Sequence, residues 1–372
     1  MTGPLTFQIA GTIGPNAIYI ERATDAELTA MLREAPLCHI VGPPQIGKSS
    51  MALHLKESLS QTAGCGIYLD LNGYGTTTSP EGSLYNSLIF DSLERLTDEE
   101  PTLPPGDTRE RLMWWLQQLD KIAEERQVVL IIDEFGLLVS RSVILLEAIA
   151  AHLTARPAGT PRASVLLLGI FNIPQLLGEP GKAEMIRAFF GAGGLSRRIE
   201  LVDFKREELS PFAQALPPSA AYADALLDRI AYWTSGHPYM TQMLCLQAAK
   251  WHAPEADAAT QIDRLVNQLF LVPNSIGDPC LAWAHKLLCP SEGGVTGQAR
   301  RLRYKTLLKQ GELLDDPKDP YITDLILAGL VVRRRVQDQT RLVVRNRIIM
   351  NVFDDGWFLR NAPADEARSE TR

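Results

Sequence analysis

The chain has 372 residues, 45% of them hydrophobic and 22% charged, which excludes a wholly disordered protein and leaves room for two or three domains. Lys and Arg number 37 against 44 Asp and Glu, a formal net charge of -7. That total argues against a globally basic nucleic-acid binder while permitting a local basic patch. Five scattered cysteines, Cys38, Cys65, Cys245, Cys280 and Cys289, form neither a Cys-x-x-Cys pair nor zinc-ligand spacing. They read as small apolar core residues.

Met1-Thr2-Gly3-Pro4 lacks a basic stretch followed by an apolar core, and no apolar run approaches the roughly 18 residues of a membrane span. A cytoplasmic protein is expected, with no membrane partner. Thr6–Ile13 alternates loosely before Gly14-Pro15-Asn16 and reads as strand then turn. Thr24–Met31 reads as a helix capped by Thr24, with Leu28, Met31 and Leu32 on its apolar stripe. Five short aliphatic runs follow: Leu37–Val41, Ile67–Leu71, Val128–Ile132, Val165–Ile170 and Ile199–Val202. They lack period-2 polarity and alternate with helical stretches, which predicts an α/β fold with a parallel sheet buried on both faces.

Thr97–Thr108, rich in proline and acid, reads as a surface loop. Beyond Leu216-Pro217-Pro218-Ser219, helices are predicted over Ala221–Trp233 and Tyr239–Trp251. Between them Gly236 suits a helix C-cap and Pro238 the first turn of the next helix, so His237 alone is no reason to propose a catalytic base. After Gly277-Asp278-Pro279 come helices near Cys280–Leu288, Ala299–Lys309 and Ile322–Leu327, the last preceded by Asp315–Pro320. Two β-rich runs, Leu330–Val336 and Arg341–Arg345, flank a turn at Asp338-Gln339, which is the order of a winged helix. Asn361–Arg372 reads as a disordered tail. The expected domains are 1–36, 37–204, 205–273, 274–360 and 361–372.

Gly42-Pro43-Pro44-Gln45-Ile46-Gly47-Lys48-Ser49 fits G-x-x-x-x-G-K-[ST], between a buried strand and a helix with Met51, Leu55 and Leu59 on one face. Such a loop turns backbone N–H groups toward phosphates, and the helix N-terminus adds its positive dipole end. Lys48 is then placed for the β/γ-phosphates and the Ser49 hydroxyl for Mg²⁺. Val128–Ile132 ends in Asp133-Glu134. Asp133 falls at the C-terminal edge of the sheet, where it can hold Mg²⁺, and Glu134 where it can polarise an attacking water. Asn172, just past Val165–Ile170, is either a contact to the γ-phosphate or a helix cap. Arg197 and Arg198 are either an arginine finger, most directly Arg198, or a solvated strand flank.

From Phe270 to Arg360 there are 14 Lys and Arg against 10 Asp and Glu, so the acidic total belongs to the rest of the chain. Arg300, Arg301, Arg303, Lys305 and Lys309 fall on one expected helix and Arg333–Arg335 on the first strand of the expected wing. These are either a DNA-binding surface or a solvated, protein-facing one.

Six ordered matches resemble the bacterial AAA-like, STAND-type P-loop ATPases. They are Tyr19-Ile20-Glu21-Arg22 with Asp25 and Leu28; Gln45-Ile46-Gly47-Lys48-Ser49-Ser50; Ile131-Ile132-Asp133-Glu134; Arg198-Ile199-Glu200-Leu201 with Asp203-Phe204; Gly236-His237-Pro238-Tyr239 with Thr241-Gln242 and Leu244-Cys245; and Leu327-Ala328-Gly329-Leu330-Val331 with Val344-Arg345-Asn346-Arg347 and Val352-Phe353. The resemblance implies a parallel-sheet P-loop core of the ASCE/AAA+-like kind, then an all-α lid and a winged helix. It implies ATP or ADP with Mg²⁺, bound between core and lid, with Tyr19, Ile20 and Arg22 near the adenine and Pro238 closing over it. Gly42, Pro44, Gln45, Ile46, Gly47, Lys48, Ser49 and Ser50 would surround the phosphates. It further implies a slow ATPase in which ADP holds a closed state and ATP opens an oligomerising one. A separate or fused effector or sensor would complete the switch. A DNA-binding initiator-like ATPase is the alternative, and a nucleotide-binding scaffold without hydrolysis a third reading.

Overall fold

The computed structural model describes residues 6–9, 17–74, 80–97, 100–139, 143–155, 162–191, 193–216, 219–251, 257–272 and 277–362. The expected turn Gly14-Pro15-Asn16, the Pro217-Pro218 break and all but the first two residues of the expected tail lie outside them. The described residues form two compact units. One is Glu21–Gly42 with Lys48–Leu201, and the other draws on Met1–Ile20, Pro43–Gly47 and Val202–Arg372.

The first unit is the α/β one. Its elements are α1 (Ala23–Glu34), β1 (Leu37–Val41), α2 (Lys48–Gln61), β2 (Cys65–Asp70), α3 (Glu81–Thr97), α4 (Thr108–Ala123) and β3 (Val128–Asp133). Then come α5 (Gly136–Val139), α6 (Ile144–Thr154), β4 (Ser164–Gly169), α7 (Ile173–Leu176), α8 (Ala183–Phe190) and β5 (Arg197–Ile199). The sheet order is β2-β3-β4-β1-β5, parallel at every pairing. Successive strand residues point to opposite faces, and both faces are covered. Val128, Leu130 and Ile132 enter a core with Leu88, Trp115 and Ile149, while Val129 and Ile131 enter one with Leu28, Met51 and Leu55. This explains aliphatic runs without polar alternation. The connections leaving the neighbouring strands β1 and β4 run in opposite directions across the sheet, and in open α/β sheets that crevice is where ligands bind.

Two local expectations need correction. The edge strand is Arg197–Ile199 rather than Ile199–Val202, because among the described residues it pairs with β1 alone and the ladder stops at the Ile40–Ile199 pair. Helix α1 is capped at Arg22, not Thr24: the Arg22 N–H donates to Asp25 Oδ2 at 2.8 Å, so the turn closes two residues earlier than a threonine cap requires.

The second unit is mainly helical. Thr6 pairs with Ala17 in a lone bridge, and Phe7, Ile18 and Ile20 join its core. A 3₁₀ stretch over Arg206–Ala215 leads to α9 (Ala220–Thr234), α10 (Pro238–Ala248) and α11 (Ala258–Val266). Next come α12 (Pro279–Leu288), α13 (Pro290–Gln310), β6 (Leu313–Leu314) and α14 (Pro320–Leu327). The unit ends with β7 (Val331–Val336), β8 (Gln339–Val344), α15 (Arg347–Val352) and α16 (Asp355–Arg360). The sheet is antiparallel in the order β6-β8-β7. Strand β6, helices α15 and α16 and the N-terminal part of α13 carry no signal long enough for periodicity to expose. The hairpin turn is Gln337-Asp338, one residue earlier than expected, with Gln337 at φ 55° and Gln339 already paired to Val336.

Between α9 and α10 the C-cap is Ser235 at φ 48°, followed by Gly236 at φ 80°. The Phe204 N–H donates to Gly236 O at 2.9 Å, so two backbones lie side by side. A Cβ on Gly236 would overlap the Phe204 carbonyl. Gly236→Ala is therefore expected to cost about 1–3 kcal/mol, read as a lower thermal midpoint. Gly277→Ala, with open space around it, should leave the midpoint nearly unchanged.

Candidate functional site

The ends of β1, β3 and β4 are tied together by backbone. The Gly42 N–H donates to Gly169 O at 3.3 Å, and the Phe135 N–H donates to Leu168 O at 2.7 Å. Gly169 lacks a side chain where one would press on the Phe135-Gly136 backbone: a Cβ would lie 2.9 Å from Gly136 N. Three strand ends thus converge on one point, which places Gly42, Asp133 and Glu134 at one edge of the sheet.

The Gly42–Ser49 loop turns through Gln45 at φ 62° and Gly47 at φ 92°. Pro44 is half-buried, Gln45 exposed and Ile46 buried. Helix α2 begins at Lys48, so Lys48, Ser49 and Ser50 form its first turn. Lys48 is only 5% exposed, and its Nζ donates to Gly42 O at 3.0 Å.

Asp133 is 1% exposed and both carboxylate oxygens are held. Oδ1 accepts the Glu134 N–H at 2.8 Å, and Oδ2 accepts the Tyr68 hydroxyl at 2.7 Å. Glu134 sits at φ 56°, in the left-handed region, directly after the strand. Burial, opposed by the Lys48 ammonium and reinforced by Asp133 and Asp70, holds the Glu134 carboxyl above the usual range. Lys48, Asp133 and Glu134 therefore share one electrostatic neighbourhood. Tyr68 went unnoticed in the sequence. Its signal is a polar aromatic in an otherwise aliphatic run, and the β2–β3 register, Tyr68 to Ile131 and Asp70 to Asp133, brings it beside the acidic strand end. Burial, then the Asp133 charge, pushes its phenol well above the usual tyrosine range, so it keeps its proton.

No group of three or more His, Cys, Asp or Glu able to hold a metal occurs among the described residues. A cation at this edge would draw on the Ser49 hydroxyl and the Asp133 carboxylate, both hard oxygen donors. Few protein ligands, with waters and phosphate oxygens completing the shell, is the manner in which Mg²⁺ binds. The donor set fits that ion.

The remaining candidates have the following local settings. Asn172 is the N-cap of α7, its Oδ1 accepting the Gln175 N–H at 3.0 Å. Arg198 lies on the edge strand opposite His39, half exposed, with Glu200 at 3.8 Å. In the α/β unit, Arg22 is buried at the start of α1. In the helical unit, Tyr19 is half-buried, Ile20 lies in the core, and Pro238 is the first residue of α10.

Three basic residues of α13 bond within the helical unit itself. Arg300 Nε bonds Asp324 at 2.7 Å, Arg303 Nε bonds Asp319 at 2.9 Å, and Arg301 is buried against Leu288 O and the Phe358 ring. In the β7–β8 hairpin Arg333 pairs with Asp315, while Arg334 and Arg335 are exposed. In the same unit Arg345, 3% exposed, grips Asp203 with two nitrogens. Beside this pair His237 is pushed down to about 3, by burial first and then by the Arg345 charge, so it is neutral near pH 7.

No protein-family model matches the sequence. The chain is 25% identical over 377 residues to an uncharacterized WD repeat-containing protein, slr0143, of Synechocystis sp. (strain ATCC 27184 / PCC 6803 / Kazusa). The match takes in 94% of this chain but only 30% of that protein, so the chain spans under a third of its relative. Among solved structures, the Walker-type ATPase PABY2304 of Pyrococcus abyssi aligns with a TM-score of 0.53 and 14% identity, over 90% of this chain and 95% of that one. The ADP form of the Aeropyrum pernix ORC2 protein aligns at 0.45 and 14% identity, over 96% and 94%, too low a score to bear on the fold. The fold is a parallel-sheet α/β core of the kind seen in that Walker-type ATPase structure. No helix among the described residues is long and apolar enough to cross a membrane.

Removing Arg345 would strand the Asp203 carboxylate, which is 15% exposed. Arg345→Ala is expected to cost about 3–5 kcal/mol, and replacing both residues with apolar ones distinctly less. Urea unfolding of the two variants checks this.

Proposed function

We propose that the protein is a nucleotide-dependent switch of the STAND type. It binds ATP or ADP with Mg²⁺ and hydrolyses ATP slowly. The observation that carries the reading is the convergence of Lys48, Asp133 and Glu134 beside a G-x-x-x-x-G-K-[ST] loop at one sheet edge. In this reading the loop N–H groups and Lys48 hold the phosphates, Ser49 and Asp133 hold the cation, and Glu134 orients and deprotonates the attacking water. Mg²⁺ supplies charge neutralisation between the phosphates. Asn172 and Arg198 are assigned supporting roles at the γ-phosphate, Arg198 from a neighbouring copy. Tyr19, Ile20, Arg22 and Pro238 are assigned to the nucleotide's adenine side and its closure.

The helical unit is read as a lid over residues 205–273 and a winged helix over 274–360. The initiator-like alternative loses support because Arg300, Arg301 and Arg303 are engaged inside their own unit rather than free for a groove. The signalling reading gains support from the WD-repeat relative, of which this chain matches 30%. A repeat-built sensor outside the matched region would report a signal, and the nucleotide state would answer it by assembly.

Calorimetry with ATP and ADP tests the binding. Lys48→Ala should weaken ATP by about 10-fold or more. Glu134→Gln should retain binding and slow phosphate release by about 100-fold or more. Because Glu134 is held above the usual carboxylate range and must be ionised to act as a base, the acid limb of the rate should lie above that of an ordinary solvated glutamate, with activity lost as pH falls through it. Absence of nucleotide binding in the wild type would falsify the reading.

The switch has its own readout. Light scattering should give a larger mass in ATP than in ADP, more so with Glu134→Gln, where hydrolysis cannot reset the state. Equal masses would refute nucleotide-controlled assembly.

A further inference from the structure

We propose that Tyr68 is a positioning residue for the divalent cation, its hydroxyl fixing the Asp133 carboxylate at the end of the acidic strand. The inference rests on the nucleotide reading above and adds a residue outside both motifs.

The geometry is a carboxylate held on both oxygens. The Tyr68 hydroxyl donates to Asp133 Oδ2 at 2.7 Å. A carboxylate that ligates a cation must keep a lone pair aimed at the ion, and donors on its other lone pairs hold it in one orientation. Here Oδ2 is held by Tyr68 and Oδ1 by the Glu134 N–H. Outer partners of this kind set ligand orientation and affinity.

The tyrosine is itself held. Its backbone sits in the β2–β3 ladder opposite Ile131, and its carbonyl accepts Arg95 Nη1 at 2.7 Å. Phenylalanine would keep the ring and the ladder but could not donate to Asp133.

The experiment uses the full chain and Mn²⁺ as the spectroscopic probe for the oxygen-ligand cation. Electron paramagnetic resonance gives the Mn²⁺ affinity of the protein–ADP complex, and calorimetry in EDTA gives the metal-free ADP affinity. For Tyr68→Phe, Mn²⁺ binding is expected to weaken by about 10- to 100-fold with metal-free ADP affinity within twofold of wild type. A second comparison guards against a merely structural effect. Tyr68→Phe added to Asp133→Asn should weaken Mn²⁺ less than it does alone, because the carboxylate it orients is already gone. Wild-type Mn²⁺ affinity in Tyr68→Phe, or fully additive losses in the double variant, would overturn the proposal and leave the nucleotide reading standing. A wild type that binds no ADP would remove both.

Discussion

Two backbone hydrogen bonds just beyond the sheet hold the candidate site together. Gly42 bonds to Gly169, and Phe135 bonds to Leu168. Strands that are parallel and buried on both faces must all present their C-terminal ends on the same side. These bonds then draw three of those ends to backbone distance. The approach is possible only because residue 169 has no side chain. Everything chemical at the edge follows from it: the loop after β1 and the carboxylates after β3 come within electrostatic reach through β4, which itself contributes only main chain.

That proximity is electrostatically demanding. Asp133, nearly inaccessible, keeps its place by accepting two hydrogen bonds, one from main chain and one from Tyr68. Glu134 has Lys48 for compensation, yet burial still outweighs it. A half-buried carboxyl raised in this way is better matched to accepting a proton near neutral pH than a solvated one. The left-handed backbone at Glu134 is a strained position for a residue with a side chain, and it sits where the chain must leave the strand and turn at once into Phe135.

The helical unit spends its charges differently. Arg300, Arg303, Arg333 and Arg345 each face an aspartate of the same unit, and Arg301 is buried beneath aromatic rings. Arginine suits this use because its planar fork matches a carboxylate and is weakly hydrated. A local excess of basic residues is therefore no map of a basic surface. Of the residues singled out by charge, Lys309 on α13 and Arg334 and Arg335 at the hairpin remain exposed.

Much was legible in the sequence because it depends on short segments. The runs Leu37–Val41 and Val128–Ile132 announce buried strands by composition alone, and Gly42–Ser49 with Asp133-Glu134 announce the site by spacing. Pro238 marked a helix start because proline lacks the N–H that a first turn leaves unpaired. Partners distant in sequence were not legible. The Tyr68–Asp133 bond depends on β2 lying beside β3, Arg345–Asp203 joins residues far apart in the chain, and the edge strand ended where its neighbour's ladder ended. Local pattern determines which segments become strands and which loop turns sharply into a helix. Which side chain meets which carboxylate was decided by strand order and packing, because those contacts exist only once the sheet and the helical core have closed.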